Sequence, residues 1–275
     1  MAVKSGSPTL GAMTITAHQI ITYSDAPFRG NPAFVVTLDR PMPDAVLSEI
    51  CAQLHEDVLA VMVPDGTEVE LRFVTRNGPH PGAGHATHAA AWVALNRIRP
   101  GARELAFRLE SGELRHVRAE GDRIAVDWPV MPFSDLDHID ALEASLGRRP
   151  ETTLASSFGT IAVFASEADV GELAPNLDRV AALEANAVVV TAPARRSDFV
   201  IRVFAPKLGL PEDPVCGTAH RIIVPFWAER LGKKQLVSHQ ISPRTGELFC
   251  ELRNDAVTIA GLATPFLEGA LRLAA

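Results

Sequence analysis

Two glycines in the sequence stand where helices are predicted to begin. Gly84-His85 and Gly217-Thr218 each come directly before an apolar pattern with helical spacing. The first N–H groups of a helix have no acceptor within the helix and lie at the positive end of its dipole, so they favour a carboxylate or a phosphate. If both helix starts face one cleft, they form a site for a small acid. The plainer alternative is that each glycine only allows tight packing of a helix on a strand.

Two carboxyl groups lie next to the ends of predicted elements. Glu56 falls between a predicted helix and an apolar strand, where partial burial would raise its pKa and make it a usable proton carrier near neutral pH. Asp213 lies between Pro211 and Pro214 and can orient a substrate hydroxyl or amine. Taken alone, each also has a structural interpretation, as a solvated helix-end glutamate and as the cap of a turn.

Histidines and a cysteine suggest two other chemistries. His80, His85 and His88 lie near one another in the sequence, and with Glu56 they supply ligand types that suit zinc or iron. Their spacing matches no metal motif, so we expect no metal. Cys216, placed before a helix, would be an acid–base thiol if the helix lowered its pKa. We favour a packing role for it.

The elements that must position these residues recur in the two halves of the sequence. A predicted strand leads to a glycine-led helix twice, at 69–75 with 86–98 and at 199–204 with 218–231. Residues 83–88 align with 216–221, which makes Ala83 the counterpart of Cys216. A racemase that uses two thiols, one as acid and one as base, would need a cysteine at both positions, so this chain lacks one of the two groups. The repeat predicts two pseudo-symmetric domains with a boundary within 129–149. Chance similarity of two helices entered through glycine remains the alternative.

Alternation and turn residues predict the other elements. A helix is expected over 46–54 with Asp44 as its cap, and the residues before Met13 are expected to form a tail. The remaining predicted strands cover 15–22, 33–38, 58–63, 105–109, 114–119, 124–128, 187–191, 236–241, 248–252 and 256–259.

Composition excludes several classes of function. The 275 residues carry a net charge of −7 without any block of Lys and Arg, so nucleic acid is not an expected partner. No apolar stretch approaches the ~20 residues that span a bilayer, so no membrane partner is expected. Three cysteines make no disulfide framework, and the first residues lack the pattern of a secretory signal. We therefore expect a cytoplasmic protein.

Longer motifs connect these residues to a known family. The chain resembles the PhzF family of phenazine-biosynthesis-like isomerases, which share the diaminopimelate epimerase fold. The matching segments are 27–33 (PFRGNPA), 54–56 (LHE), 84–87 (GHAT), 209–220 (GLPEDPVCGTAH), 225–233 (PFWAERLGK) and 242–248 (SPRTGEL).

The resemblance implies an α+β fold with two pseudo-symmetric domains, expected over 13–130 and 131–275. Each domain would be a mostly antiparallel sheet wrapped around a central helix, with the last residues packing back on the first domain. The active site would lie in the cleft between the domains. The resemblance also implies a homodimer that needs no cofactor and no metal.

In this resemblance the glutamate at Glu56 removes a proton from carbon and returns it elsewhere on a small cyclic or amino-acid-like carboxylic acid. His85 and Asp213 are expected to take part in catalysis. Substrate binding is expected from four residues: Asn31, Gly84, Gly217 and Thr218, the last replacing a serine that is common in the family. Pro79 stands where the family usually has a glutamate, and with His80-Pro81 it is expected to reshape one wall of the cleft.

Two other functions stay open at the level of sequence. An amino-acid epimerase or racemase would share the fold but needs two opposed acid–base groups. A non-catalytic protein that binds small acids would keep the cleft but has no need for a carbon base. The sequence does not identify the substrate.

Overall fold

The computed structural model describes residues 13–66, 68–137 and 139–273, so the tail predicted for residues 1–12 lies outside the described part. The first half of the chain contains eight strands and two α-helices among these residues. They are β1 (Met13–Thr22), β2 (Asn31–Thr37), α1 (Asp44–Gln53), β3 (Leu59–Asp65), β4 (Glu68–Thr75), β5 (Gly78–His80), α2 (Gly84–Val93), a π-helical turn (Ala94–Ile98), β6 (Glu104–Leu109), β7 (Leu114–Glu120) and β8 (Arg123–Pro129).

The second half adds eight strands and four α-helices within the same described ranges. They are β9 (Phe133–Asp135), α3 (Ile139–Leu146), β10 (Thr152–Ser156), β11 (Thr160–Val163), α4 (Glu167–Gly171), α5 (Leu177–Ala182), β12 (Val188–Pro193), β13 (Phe199–Phe204), a 3₁₀ turn (Pro206–Leu208), α6 (Gly217–Leu231), β14 (Gln235–Gln240), β15 (Gly246–Arg253) and β16 (Ala256–Leu273).

The first half closes into a barrel around α2. Its strands follow the order β1-β2-β3-β4-β6-β7-β8-β16, and β16 pairs again with β1. Alanines at 86, 89, 90 and 91 of α2, and Ala94 in the turn that follows, are fully buried, so α2 is enclosed on nearly all sides. Small side chains all around the helix let the strands approach it closely, which explains why this sequence favours a helix enclosed by a sheet.

The second half wraps a sheet around α6 in the same way. The order β16-β15-β14-β13-β12-β11-β10-β9 leaves this sheet open at β9 among the described residues. Most pairs in both halves are antiparallel, and the parallel pairs fall at matching places: β2–β3 and β4–β6 in the first half, β11–β12 and β13–β14 in the second. The fold is therefore the predicted α+β arrangement of two pseudo-symmetric units.

Further helices cover the outer faces of the sheets. Leu47, Ile50 and Cys51 of α1 pack on apolar residues of β1, β2 and β3, while Leu142 of α3 and Val180 of α5 pack on the outer side of the second sheet. None of the helices in the described ranges is long and apolar enough to cross a membrane.

The structure corrects three details of the sequence analysis. Asp44 does not cap α1: Pro43 takes the cap position without a side-chain hydrogen bond, and Asp44 is the first helical residue, 2.5 Å from an Nη of Arg72. The helix α2 begins at Gly84 rather than at Ala86. Finally, β16 does not end at Ile259 but continues to Leu273.

Candidate active site

The two glycine-led helix starts touch each other. A Cβ atom at Gly84 would lie 3.3 Å from the Cα of Gly217 and 3.5 Å from the backbone nitrogen of Thr218. The residues in the N-cap positions, Ala83 and Cys216, make no side-chain capping hydrogen bond. The N–H groups of both first turns are therefore brought together, and the two helix dipoles add at that point. The predicted anion site requires that the two helix starts lie close together, and the structure places them so.

Tyr23 connects the two helix starts. It is the only tyrosine of the chain and is fully buried, with its hydroxyl oxygen 2.9 Å from Nδ1 of His88 in α2. The same oxygen would lie 2.7 Å from a Cβ atom at Gly217, so α6 can begin here only with glycine. Tyr23 also adopts a positive φ of 65°, a conformation that only surrounding contacts can maintain in a tyrosine.

His88 is a buried, neutral partner of this tyrosine. Its Nε2 lies 2.9 Å from the carbonyl oxygen of Ile259, and its Nδ1 lies 3.0 Å from the carbonyl oxygen of Gly84. Burial lowers the pKa of His88. With the Nε2 proton donated to Ile259, Nδ1 accepts the hydroxyl proton of Tyr23, an assignment made from the hydrogen-bond partners. Sequence analysis missed Tyr23 because its role depends on contacts with distant residues, not on a motif.

Asp213 is held in front of α6 by residues from both halves. The Asn31 side-chain amide donates to Oδ1 of Asp213 at 3.2 Å and to the Val215 carbonyl at 3.0 Å. Burial raises the pKa of Asp213 to about 6, although the adjacent Cys216 thiol favours the ionised carboxylate. The side-chain nitrogen of Asn31 thus joins the first half of the chain to the loop before α6.

Gln240 is a second support that the sequence analysis did not identify. Its side-chain oxygen accepts the backbone N–H of Cys216 at 2.8 Å, and its amide nitrogen donates to the backbone carbonyl of Asp213 at 2.7 Å. Gln240 is fully buried in β14. Because both ends of this amide are used, the loop before α6 is fixed relative to the sheet.

Glu56 belongs to the capping motif at the C-terminus of α1. The N–H of His55 donates to the Ala52 carbonyl and the N–H of Glu56 donates to the Cys51 carbonyl, both at 3.1 Å, while His55 has a φ of 57°. These two bonds form the Schellman arrangement that ends many helices, usually with glycine in place of this histidine. The chain therefore turns sharply just before Glu56.

The carboxyl group of Glu56 lies in a poorly solvated place. It is partly buried and makes no ion pair and no hydrogen bond with the described residues. Burial, and to a lesser degree the charge of Asp57, raises the pKa of Glu56 to about 7. The charge of Asp57 also contributes to the raised pKa of Asp213.

His85 and Thr218 are the second residues of the two facing helices, and both are partly buried. Burial lowers the pKa of His85 to about 4, with smaller contributions from His88 and His80, so this imidazole is neutral at neutral pH. It therefore offers one hydrogen-bond donor and one acceptor rather than a positive charge. His85 has no hydrogen-bond partner among the described side chains or backbone groups.

Cys216 is buried beside Asp213, and both burial and the carboxylate raise its pKa well above the ordinary value. The thiol is therefore protonated at neutral pH.

Pro79 and His80 form the short strand β5 beside Val74 and Phe73 and are exposed. The three neighbouring histidines do not join other described residues in a cluster of three or more metal-ligand side chains.

A clamp of backbone-directed hydrogen bonds joins a loop of the first half to a loop of the second half. Arg244, from the second half, donates to the carbonyls of Gly30 at 2.8 Å and of Arg29 at 2.9 Å. The N–H of Gly30 in turn donates to the Thr245 carbonyl at 2.9 Å. Both partners lie in segments that carry the family resemblance, although the sequence analysis assigned no role to Arg244. The clamp holds the loop before Asn31 against the second half.

Comparisons with known proteins agree with this architecture. The family model described as phenazine biosynthesis-like protein, PhzC-PhzF, matches residues 21–269. A protein of Pseudomonas aeruginosa described as an uncharacterized isomerase is 36% identical over 261 residues, which cover 95% of this chain and 100% of that protein.

Solved structures extend the comparison. The crystal structure of a PhzF-family phenazine biosynthesis protein from Enterococcus faecalis superposes with a TM-score of 0.91 at 32% identity, covering 95% of this chain and 100% of the other. A hydroxyproline epimerase from Agrobacterium vitis shares the fold at a TM-score of 0.62 and 11% identity, with 97% of this chain and 93% of the other covered.

Proposed function

Because the chain belongs to the phenazine biosynthesis-like family and is a PhzF-like isomerase, we propose that it moves a proton between two positions of a small cyclic or amino-acid-like carboxylic acid. Glu56 is the proton carrier in this proposal. The observation that carries it is a partly buried carboxyl group, free of ion pairs within the described residues, whose pKa is raised to about 7. Such a group takes up and releases a proton with similar ease at neutral pH.

The facing helix starts supply the binding half of the proposal. The substrate carboxylate would accept hydrogen bonds from the first-turn N–H groups of α2 and α6, with the Thr218 hydroxyl as a further donor. Close packing of Gly84 on Gly217 supports this placement, since two positive helix ends so near each other leave a strong field for one anion.

The reaction then needs one base and one acid step. The Glu56 carboxylate removes a proton from carbon, and the electron pair left behind delocalises into the adjacent unsaturated or carboxylate group. The same residue, now protonated, returns the proton to another carbon. Asp213 and the neutral His85 orient the ring or amine, and the partly exposed carboxyl group of Glu56 exchanges its proton with solvent between the two steps.

Epimerase chemistry is less well supported. Removing and returning a proton on opposite faces of one carbon asks for two opposed groups, and the counterpart of Cys216 is Ala83, which cannot hold a proton. The thiol of Cys216 is moreover held in its protonated form by burial and by Asp213. A purely binding protein is also less well supported, because binding a carboxylate does not require a second, desolvated carboxyl group.

A screen in heavy water tests the proposal. The protein is incubated in D₂O with a panel of small cyclic and amino-acid-like carboxylic acids, and each compound is examined for a mass increase. A positive compound should gain deuterium at carbon with its double bond or its hydrogen relocated, as read by NMR. Its methyl ester should not react, because the helix starts would then have no carboxylate to bind.

Three outcomes count against the proposal. Binding of an acid without any deuterium gain would favour the non-catalytic alternative. Exchange at one stereocentre with inversion of configuration would favour an epimerase. Equal reaction of acid and ester would remove the helix starts from substrate binding.

A further inference from the structure

Three glycines of the second half leave room for Tyr23, the residue that follows β1. A Cβ atom at Gly261 of β16 would lie 2.6 Å from Cδ1 of the tyrosine ring, and one at Gly217 of α6 would lie 2.7 Å from the hydroxyl oxygen. A Cβ atom at Gly246 of β15 would lie 3.1 Å from the Tyr23 carbonyl oxygen. Positions 217 and 261 therefore cannot carry a side chain while the ring stays in this place.

The backbone of Tyr23 is fixed as well as its ring. The N–H of Tyr23 donates to the Leu262 carbonyl at 2.7 Å, and the Tyr23 carbonyl accepts the N–H of Glu247 at 3.0 Å. These bonds to β16 and β15 hold the residue at a φ of 65°, a left-handed conformation that is unusual for a tyrosine. Such a conformation costs free energy and is found most often at functional sites. Tyr23 is therefore a candidate for a role beyond the filling of space.

The hydroxyl group of Tyr23 lies between the first turns of α2 and α6. On the α2 side it is 2.9 Å from Nδ1 of His88, and this nitrogen is 3.0 Å from the carbonyl oxygen of Gly84, the first residue of that helix. On the α6 side it contacts Gly217, which is also the first helical residue. Because Nε2 of His88 is 2.9 Å from the Ile259 carbonyl, the imidazole cannot turn away without losing that contact.

We propose that Tyr23 is a positioning residue for the substrate, and that its hydrogen bond with His88 keeps the first-turn N–H groups of α2 and α6 at the spacing that one carboxylate needs. The role rests on the proposed function, in which both helix starts bind the substrate carboxylate. A binding arrangement of this kind must be held to within ~0.5 Å, so a single hydroxyl group between the two helices is enough to decide the affinity.

Loss of this hydroxyl group should weaken binding more than chemistry. Tyr23→Phe keeps the ring among the three glycines but leaves Nδ1 of His88 without its donor. The proton carrier Glu56 lies on the connection between α1 and β3, to which Tyr23 makes no hydrogen bond within the described ranges. We therefore expect KM to rise about tenfold and kcat to change less than about twofold, the result for an interaction that binds the ground state and the transition state equally.

Titration of the full chain with benzoate tests the spacing without any reaction. Benzoate is a small cyclic carboxylate, and in protein labelled with [15N]glycine the amide signals of Gly84 and Gly217 report on both helix starts. Both signals should move in the wild type, and their shifts should give a dissociation constant about tenfold higher for Tyr23→Phe. If neither signal moves in the wild type, or if the two proteins have equal dissociation constants, the proposal is wrong.

Thr191→Val is the matched control for a loss of stability alone. The Thr191 hydroxyl is buried in β12 and accepts the indole N–H of Trp227 at 2.9 Å. Trp227 lies ten residues beyond Gly217 in α6, which at 1.5 Å per residue is ~15 Å from the helix start. Because a buried donor loses its partner, this variant should be less stable than the wild type. It should nevertheless bind benzoate with the wild-type dissociation constant.

Variants of His88 separate positioning from stability. The side-chain oxygen of an asparagine can take the place of Nδ1 and accept the Tyr23 hydroxyl proton, so His88→Asn should keep most of the affinity for benzoate, whereas His88→Leu should lose it as Tyr23→Phe does. Combining Tyr23→Phe with His88→Leu leaves neither partner of this bond unmatched, so the free energy of unfolding should recover. The dissociation constant should stay raised, with no addition of the two effects. An affinity that instead recovers together with stability would show that Tyr23 has only a structural role.

The deuterium screen keeps this proposal distinct from the proposed function. If no acid gains deuterium but benzoate affinity changes as described, the helix starts bind carboxylates through the spacing set by Tyr23, and the catalytic function is wrong. If an acid gains deuterium while Tyr23→Phe has the wild-type KM and the wild-type affinity for benzoate, the function stands and the positioning role of Tyr23 is refuted.

Discussion

Replacement of Glu56 by Gln should make the protein more stable at alkaline pH, because it removes a carboxylate from a poorly solvated place. In the folded protein the pKa of Glu56 rises from an ordinary 4.5 to about 7. The folded state therefore binds more protons than the unfolded state between these two values. It follows that the wild-type free energy of unfolding loses a contribution as the pH rises from about 4.5 to 7, and loses no more above that.

The size of the effect follows from the same shift. At ~1.4 kcal/mol per pKa unit, the rise from 4.5 to about 7 corresponds to about 3.5 kcal/mol. Because part of the carboxyl group faces solvent, we expect ~1–2 kcal/mol after screening. A glutamine has nearly the same shape and cannot ionise, so Glu56→Gln should be more stable than the wild type by this amount at pH 8 and by much less at pH 5.

Urea unfolding at the two pH values measures the difference. Glu49→Gln, on the exposed side of the same helix, is the control and should change little with pH. If the stability difference between Glu56→Gln and the wild type is the same at pH 5 and pH 8, the carboxyl group is well solvated. The physical reason for assigning proton transfer to it would then be lost.

Four further expectations concern activity and packing. The rate constant kcat/KM should rise with pH through about 7, since Glu56 must be ionised to remove a proton, and a flat profile from pH 5 to 9 would contradict this. Cys216→Ser should keep most of the turnover, whereas a loss of several orders of magnitude would show that the thiol takes part in proton transfer. Asp213→Asn and His85→Ala should weaken both substrate binding and turnover, as read from KM and kcat together. Tyr23→Phe should lower the free energy of unfolding by ~1–3 kcal/mol, because the buried His88 loses a hydrogen-bond donor; an unchanged unfolding curve would show that the two helix starts do not depend on this contact.

Local patterns predicted the elements that enclose the site, and tertiary contacts decided the rest. Alternation and helical spacing were sufficient for β1 to β4 and for the helices after Gly84 and Gly217, because each of these segments buries a regular apolar face. The region of α3, α4 and α5 was not predicted, since these helices are short and pack on a sheet whose position depends on the whole chain. The length of β16 was also missed, because Gly261, Pro265 and Gly269 interrupt the pattern of a strand.

In the candidate site, too, local patterns predicted some residues and tertiary contacts revealed others. Motifs pointed to Glu56, Asp213 and the two glycines because these residues lie at the ends of elements, which local patterns predict. Tyr23 and Gln240 were missed because the residues next to them in the sequence do not indicate a contact with residues tens of positions away. Asn31 was predicted to bind substrate, and the structure directs its amide to Asp213 instead of leaving it free.

The role of Glu56 in moving a proton at carbon is tested most directly by deuterium exchange with an acid found in the screen. The wild type, Glu56→Gln and Glu49→Gln are compared in D₂O at pH 8, with binding of the acid measured in parallel. We predict that all three proteins bind the acid, that the wild type and Glu49→Gln incorporate deuterium at equal rates, and that Glu56→Gln loses ~10²–10⁴-fold or more in exchange. Exchange by Glu56→Gln at the wild-type rate would contradict the account.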